Sequence, residues 1–355
     1  MQLRADQLAA HLAKAGPQGL KPVYTLYGDE TLLANEAADT IRQAARTAGF
    51  TERQVFTVAG AHYDWAGLLG AGSAMSLFGD RQLIEIRIPS GKPGKDGSQA
   101  LQTYCERAVG NDGLLTIVSL PRLDKTQQSS AWFTALDQAG ATLRCDPIER
   151  GALPLWIAQR LQAQGQQVEA GEAGQRTLAF FADRVEGNLL AAHQEVIKLG
   201  LLYPAGVLTF EQIDEAVVDV ARFNVFKLSE AVLTGNTARA LRMIEGLQAE
   251  GEAAVLVHWS LADDILGLHR ALQLIDAGKP LPMVLRELRV WGPRERLFER
   301  ALPQLRTATT ARLVLAASIV DGIVKGLPHA QWPPDGWAAL TRLAHLLCRA
   351  LKAPT

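Results

Sequence analysis

Between residues 22 and 145, short apolar runs alternate with amphipathic helical stretches, and this alternation limits the possible folds more than any other feature of the chain. The runs 22–27, 54–58, 82–88, 114–119 and 141–145 each suit one strand, the first of them buried. Residues 5–14, 31–48, 64–74, 101–109 and 129–139 carry apolar side chains at helical spacing, as in Leu33, Ala37, Ala38, Ile41 and Ala45. Strands and helices in alternation predict a mostly parallel sheet with helices on both faces. Residues 90–98, rich in Gly, Pro and Lys, read as a loop.

The strand pattern stops after residue 146. Pro154 suits the first turn of a helix, and Gly165, Gly187 and Pro204 divide the stretch from Leu155 onward into three or four short helices. Asn188 is placed to cap one of them, and Thr209 with Gln212 forms a capping box for another. His193 has no Ser, Cys or Asp partner at a catalytic spacing and reads as a surface or core-edge histidine. From Phe223 onward every segment has helical periodicity, with Ala240, Leu241, Ile244 and Leu247 as one stripe. Six or seven helices with short links predict a bundle. The expected fold is therefore α/β plus all-α: residues 1–146 an α/β domain, 147–220 a small helical domain and 221–355 a helical bundle.

The chain of 355 residues is 48% hydrophobic, enough for substantial cores, and has a formal net charge of −1. Such a balance disfavours a general DNA-binding protein acting alone, which needs an excess of Lys and Arg. Cys105, Cys145 and Cys348 are scattered, and no Cys-x-x-Cys pair or His cluster indicates a disulfide framework or a zinc site. Residues 1–15 lack an apolar signal core, and no run of about 18 apolar residues predicts a membrane span.

In an α/β domain of this kind the first strand-to-helix turn is where a phosphate loop would sit, with the pattern Gly-x-x-x-x-Gly-Lys-Ser/Thr. Here it reads Gly28-Asp29-Glu30-Thr31-Leu32-Leu33-Ala34-Asn35, with one glycine, no lysine and two carboxylates where a triphosphate would lie. Those carboxylates suit the helix dipole and repel ATP. The strand 114–118 runs into Ser119-Leu120-Pro121-Arg122 with no magnesium-binding acid at its end, and Asp124 lies beyond it in the loop. Two readings fit: a nucleotide-binding fold that has lost its chemistry, or an unrelated α/β domain that never had any.

Asp64 can cap a helix on which Trp65, Leu68 and Leu69 share one face, and Gly79 is a natural stop before the strand beginning at Gln82. Leu77 and Phe78 then sit at a helix tip, with Met75 and Ser76 before them. Two large apolar groups there are either folded back onto the helix or aimed at a partner, and residue type alone favours the interior. Trp291 poses a similar choice. Arg286, Arg289, Arg294, Arg296, Arg300 and Arg306 surround it, and Gly292-Pro293 breaks the helical pattern. Either Trp291 fills the bundle core beside a solvated arginine face, or the ring and the arginines meet a nucleic-acid strand. Burial statistics favour the core.

The run Ala74-Met75-Ser76-Leu77-Phe78, with the strand that follows, resembles the clamp-contacting element of the delta subunit of the bacterial DNA polymerase III clamp loader. Val23-Tyr24-Thr25-Leu26-Tyr27-Gly28-Asp29-Glu30 matches the first strand and turn of that family, which carries Gly-Asp/Asn-Asp/Glu instead of a phosphate loop. Ala131-Trp132-Phe133, Glu186-Gly187-Asn188-Leu189-Leu190-Ala191, Ala221-Arg222-Phe223-Asn224-Val225-Phe226, Ala231-Val232-Leu233-Thr234-Gly235 and Val290-Trp291 continue the resemblance over nearly the whole chain. The family's ATP-binding relatives often carry a four-cysteine zinc site, whose absence here points to delta.

The resemblance implies a degenerate AAA+ domain with a RecA-like parallel sheet, a helical lid and a helical collar. It implies a subunit without catalytic residues, metal or cofactor of its own, belonging to a nucleotidyltransferase complex in the bacterial cytoplasm. Met75, Ser76, Leu77 and Phe78 would contact the sliding clamp (the beta subunit) and open it. ATP and magnesium would be bound by the gamma/tau partners, and delta prime and primed DNA would complete the assembly. Arg289, Trp291 and Arg294 are the candidate DNA contacts. The alternative is an active P-loop-type ATPase of recombination or unwinding, which the missing glycine-lysine loop disfavours.

Overall fold

The computed structural model describes residues 1–4, 7–16, 19–60, 63–71, 81–218, 223 and 225–352. The chain divides into two compact units, Met1–Glu149 and Arg150–Thr355.

The first unit is built on six parallel strands: β1 (Gln2–Leu3), β2 (Val23–Tyr27), β3 (Phe50–Thr57), β4 (Arg81–Arg87), β5 (Leu114–Leu120) and β6 (Gly140–Arg144), in the spatial order β1-β6-β2-β5-β4-β3. Every residue of β2 is buried, as a central parallel strand requires. Its side chains alternate between two cores. Tyr24 and Leu26 meet α1 (Leu8–Ala15) and α2 (Thr31–Thr47) on one face. Val23 and Tyr27 meet α3 (Trp65–Ala71), α4 (Gly94–Ala108) and α6 (Ala131–Ala139) on the other. Phe133 lies edge-on to Tyr27 at 5.3 Å between ring centres.

The expected strands and helices are present, with differences at their ends. Helix α4 begins at Gly94, inside the stretch expected to be a loop. The reason lies in its packing. A Cβ at Gly97 would stand 2.4 Å from Cζ2 of Trp65, so the glycine that suggested a loop is what lets α4 press onto that ring. A four-residue helix, α5 (Lys125–Gln128), precedes α6. Asp124 caps it: its carboxylate accepts from Gln127 N at 2.7 Å, and the Gln127 side chain accepts from Asp124 N in return. On α1 Leu8 and Leu12 face the core, and Ala9, which the helical spacing places on the same side, is exposed.

The second unit starts with four helices, α7 (Leu153–Ala163), α8 (Gly171–Val185), α9 (Leu189–Leu202) and α10 (Phe210–Ala216). Asn188 caps α9 through Ala191 N, and Thr209 with Gln212 forms the capping box of α10. A short parallel pair, β7 (Gln166–Val168) and β8 (Gly206–Leu208), was not apparent from the sequence. Such short strands carry no periodicity of their own and exist only as a pair. His193 is half-buried.

The rest is helical: α11 (Val225–Leu233), α12 (Thr237–Ala249), α13 (Ala254–Asp276), α14 (Leu281–Glu287), α15 (Pro293–Ala301), α16 (Thr307–Val324) and α17 (Gly336–Lys352), around one apolar core. By length and mean hydropathy (1.4), α16 meets the criteria for a membrane-crossing helix, a feature the sequence reading had not expected. It puts Leu313, Ala317, Val320 and Ile323 into the core of the bundle.

Candidate functional site

Strand β2 leads to β3 on one side of the sheet, while β5 leads to β6 on the other, so the carboxyl ends of β2 and β5 mark the switch in topology where an α/β sheet binds ligands. The turn after β2 closes that place with its own atoms. Gly28 N donates to Leu120 O at 3.3 Å, and Glu30 N donates to Cys145 O at 3.0 Å. Asp29 Oδ1 accepts from Arg122 N at 3.2 Å. The Glu30 carboxylate accepts from Leu32 N at 3.2 Å as the cap of α2, taking an amide that a phosphate would need. Burial raises the pKa of Glu30, and the Leu32 amide opposes that shift.

Gly28 itself has φ 145°, and a Cβ there would stand 2.0 Å from Cys145 O. This glycine serves close backbone approach between strand ends. Asp124, the acid nearest to the end of β5, is committed to capping α5. Among the described residues, no group of three or more His, Cys, Asp or Glu side chains is arranged to hold a metal ion.

Met75, Ser76, Leu77 and Phe78 lie outside the described residues, as does Gly79. The elements on either side of them are firmly placed. Asp64 caps α3 through Ala66 N at 2.9 Å, and Trp65 and Leu68 are buried in the core. On the other side, Ile84, Ile86 and Ile88 are fully buried.

The Trp291 turn differs from what burial statistics suggest. Trp291 is 57% exposed, and Val290 next to it, 4% exposed, fills the core instead. Val290 N donates to Leu285 O at 2.9 Å and Arg289 N to Arg286 O at 3.1 Å, closing the end of α14. Arg289 takes φ 55° and Gly292 φ 65°, so left-handed backbone flanks the Val290–Trp291 pair. Arg289, two positions before Trp291, is exposed as well. Arg294 is committed inward: it pairs with Asp263 at 2.6 Å and with the buried Asp264 at 2.8 Å, and lies over the Phe298 ring. Ser229 also donates to Asp264, joining α11, α13 and α15 at the base of the turn.

One charged group escaped the sequence reading. Glu85 lies in the middle of β4 with its side chain 3% exposed, and it binds three arginines from α2, β3 and β4. The signal was available: a carboxylate inside the apolar run Leu83-Ile84-Glu85-Ile86 needs a cation.

The family model described as "DNA polymerase III, delta subunit" matches residues 24–146. DNA polymerase III subunit delta of Escherichia coli (strain K12) is 32% identical over 348 residues, covering 98% of this chain and 96% of that protein. The chain belongs to the DNA polymerase III delta subunit family. The Haemophilus influenzae delta subunit is 28% identical over 97% of this chain and 98% of its own length. Among solved structures, the Bacillus subtilis DNA clamp loader delta protein aligns over 98% of this chain and all of its own, with 16% identity and a TM-score of 0.49. The Aeropyrum pernix ORC2 protein in its ADP form aligns over 66% of this chain and 73% of its own, with 15% identity and a TM-score of 0.33. As a delta-family chain, this is a subunit of DNA polymerase III.

Proposed function

We propose that this delta-family chain binds the sliding clamp through Met75, Ser76, Leu77 and Phe78 and holds the ring open for loading on primed DNA, without hydrolysing ATP. The turn Gly28-Asp29-Glu30 carries the second half of this reading. Its amides and carboxylates bond to one another and to the strand ends, which supports a turn that does not cradle a triphosphate. ATP and magnesium then belong to the gamma/tau partners, and energy reaches this chain as a change in its surroundings within an assembly that includes delta prime. In this reading residues 1–146 are the degenerate AAA+ domain, 147–220 the lid and 221–355 the collar, and the assembly works in the bacterial cytoplasm.

The wedge itself needs no catalytic group. Burying each large apolar side chain in a pocket contributes about 1.5–3 kcal/mol, so Leu77 and Phe78 together act on the scale of an interface hot spot. The well-anchored α3 and β4 support this role, since a wedge can strain a partner only if its base holds firm. The test is the double variant Leu77→Asp/Phe78→Asp. Clamp binding should fall by about a hundredfold or more, while the thermal melt stays unchanged. A melt lowered to match would mean that the pair is internal packing. ATP binding to the isolated chain at millimolar affinity or tighter would favour the ATPase alternative.

Exposure of both Trp291 and Arg289 supports a second contact, with a strand of the primed DNA. Arg294 enters that contact as the anchor of the turn, because its guanidinium is occupied by Asp263 and Asp264.

A further inference from the structure

Strand β3 is the outer edge of the six-stranded sheet, and residues 51–55 of its eight are exposed. On the face it shares with α2, an arginine cluster is gathered on one carboxylate. Glu85 Oε1 accepts from Arg42 Nε and from Arg53 Nε, both at 2.7 Å. Its Oε2 accepts from Nη2 of the same two residues, both at 3.1 Å. Arg87 Nη2 adds a longer contact of 3.4 Å. Burial pushes the Glu85 carboxyl up, but Arg42 and Arg53 together outweigh it and hold it down at about 2, so it stays charged at any physiological pH.

The cluster is unevenly satisfied. Arg42 is the most fully engaged, because Asp39 also takes its Nη1 at 2.6 Å and its side chain is only 20% exposed. Arg53 and Arg87 are different: their side chains are 45% and 47% exposed, and each keeps N–H groups that Glu85 does not use. Three guanidiniums against Glu85 and Asp39 leave net positive charge on this face, and the exposed Arg46 follows Arg42 one turn later on α2. Buried carboxylates that grip arginines in a bidentate way fix the direction of the remaining donors, so little is lost in ordering them for a second acceptor.

The chemistry of the surroundings selects the ligand. A protein interface is built around apolar or aromatic anchors. Along the exposed part of this edge the neighbours are Thr51, Glu52 and Gln54, and Val55 is the one exposed large apolar side chain. A phosphodiester backbone needs no such anchor and is held by arginine forks alone. We propose that Arg53 and Arg87, oriented by Glu85, form a contact site for nucleic-acid backbone phosphates on the exposed edge of the α/β domain. The site is separate from the proposed clamp wedge and from Trp291. It reads no sequence and acts through charge.

The test uses the complete clamp loader on primed DNA, with this subunit carrying Arg53→Gln/Arg87→Gln. DNA affinity at low salt should drop about three- to tenfold, and the slope of log affinity against log salt should fall by about one per arginine. Clamp binding should not change, while the melt should fall because Glu85 keeps only Arg42, so DNA binding is read well below that melt. Arg87→Gln alone, which gives up only the long contact to Glu85, guards against a folding defect and should show about half of the slope change. Unchanged affinity and slope in the folded double variant would overturn the proposal. So would unchanged DNA binding accompanied by weaker assembly with the other loader subunits, which would assign the arginines to an acidic protein surface.

Discussion

Two turns in this chain each lead into a helix, and they treat their surroundings in opposite ways. The turn before α2 is consumed by its own structure. Glu30 caps the helix, Asp29 holds Arg122 N, and Gly28 allows the ends of β2 and β6 to touch. The turn before α15 is braced from below and leaves its largest side chain outside. Val290 is the plug, Arg294 is the anchor on Asp263 and Asp264, and Trp291 projects with 57% of its surface exposed. A closed turn at the usual ligand crevice together with a displayed ring in the bundle fits the proposed reading, in which the chain binds partners and not nucleotide. Position in the fold does not decide function here; the fate of each donor and each large side chain does.

The largest effect expected from breaking this contrast comes from Gly28→Ala. The added Cβ would meet Cys145 O at 2.0 Å in a backbone with φ 145°, so β2 and β6 must part or the turn must refold. The cost should be about 3 kcal/mol or more in urea unfolding of the α/β unit. A loss below about 1 kcal/mol would show that the close approach is not structural. The Trp291 turn should respond the other way. Trp291→Ala removes a side chain that the core does not use, so stability should stay within about 0.5 kcal/mol of the parent. Loading on primed DNA should weaken by about 1–3 kcal/mol, with clamp binding retained. Equal losses in both activities would remove the DNA role.

Much of the fold was legible because it rests on local period. Leu83, Ile84, Ile86 and Ile88 announce a buried strand, and Asn188, Thr209 and Gln212 announce helix starts whose hydrogen bonds are all made. The failures share a cause. Residues 94–98 resembled a loop because Gly and Pro are breakers by type, whereas Gly97 answers to Trp65, more than thirty positions away in sequence. Trp291 was placed inside on residue statistics, but the smaller Val290 had already taken the one inward position at that turn. Strands β1, β7 and β8 have two or three residues each and exist only through partners distant in sequence. Of the site, the absence of a phosphate loop was readable directly. The reason that two carboxylates are tolerated there, hydrogen bonds to Leu32 N and Arg122 N, required coordinates.

The smallest expected effect is the most specific test of the closed turn. Burial raises the pKa of Glu30 above its ordinary 4.5, and the amide of Leu32 recovers only part of that shift. A carboxyl whose pKa is higher in the folded chain than in the unfolded chain binds its proton more tightly when folded. Its contribution to stability is therefore complete below about pH 4.5 and is lost as pH rises through the folded value. Glu30→Gln keeps an oxygen for Leu32 N and removes the ionisation. The variant should match the parent near pH 4 and melt at an equal or slightly higher temperature at pH 7. A variant clearly less stable at pH 7 would mean that the charge itself, through the dipole of α2, outweighs its burial. In that case the turn would be an electrostatic cap first and a barrier to phosphate only by consequence.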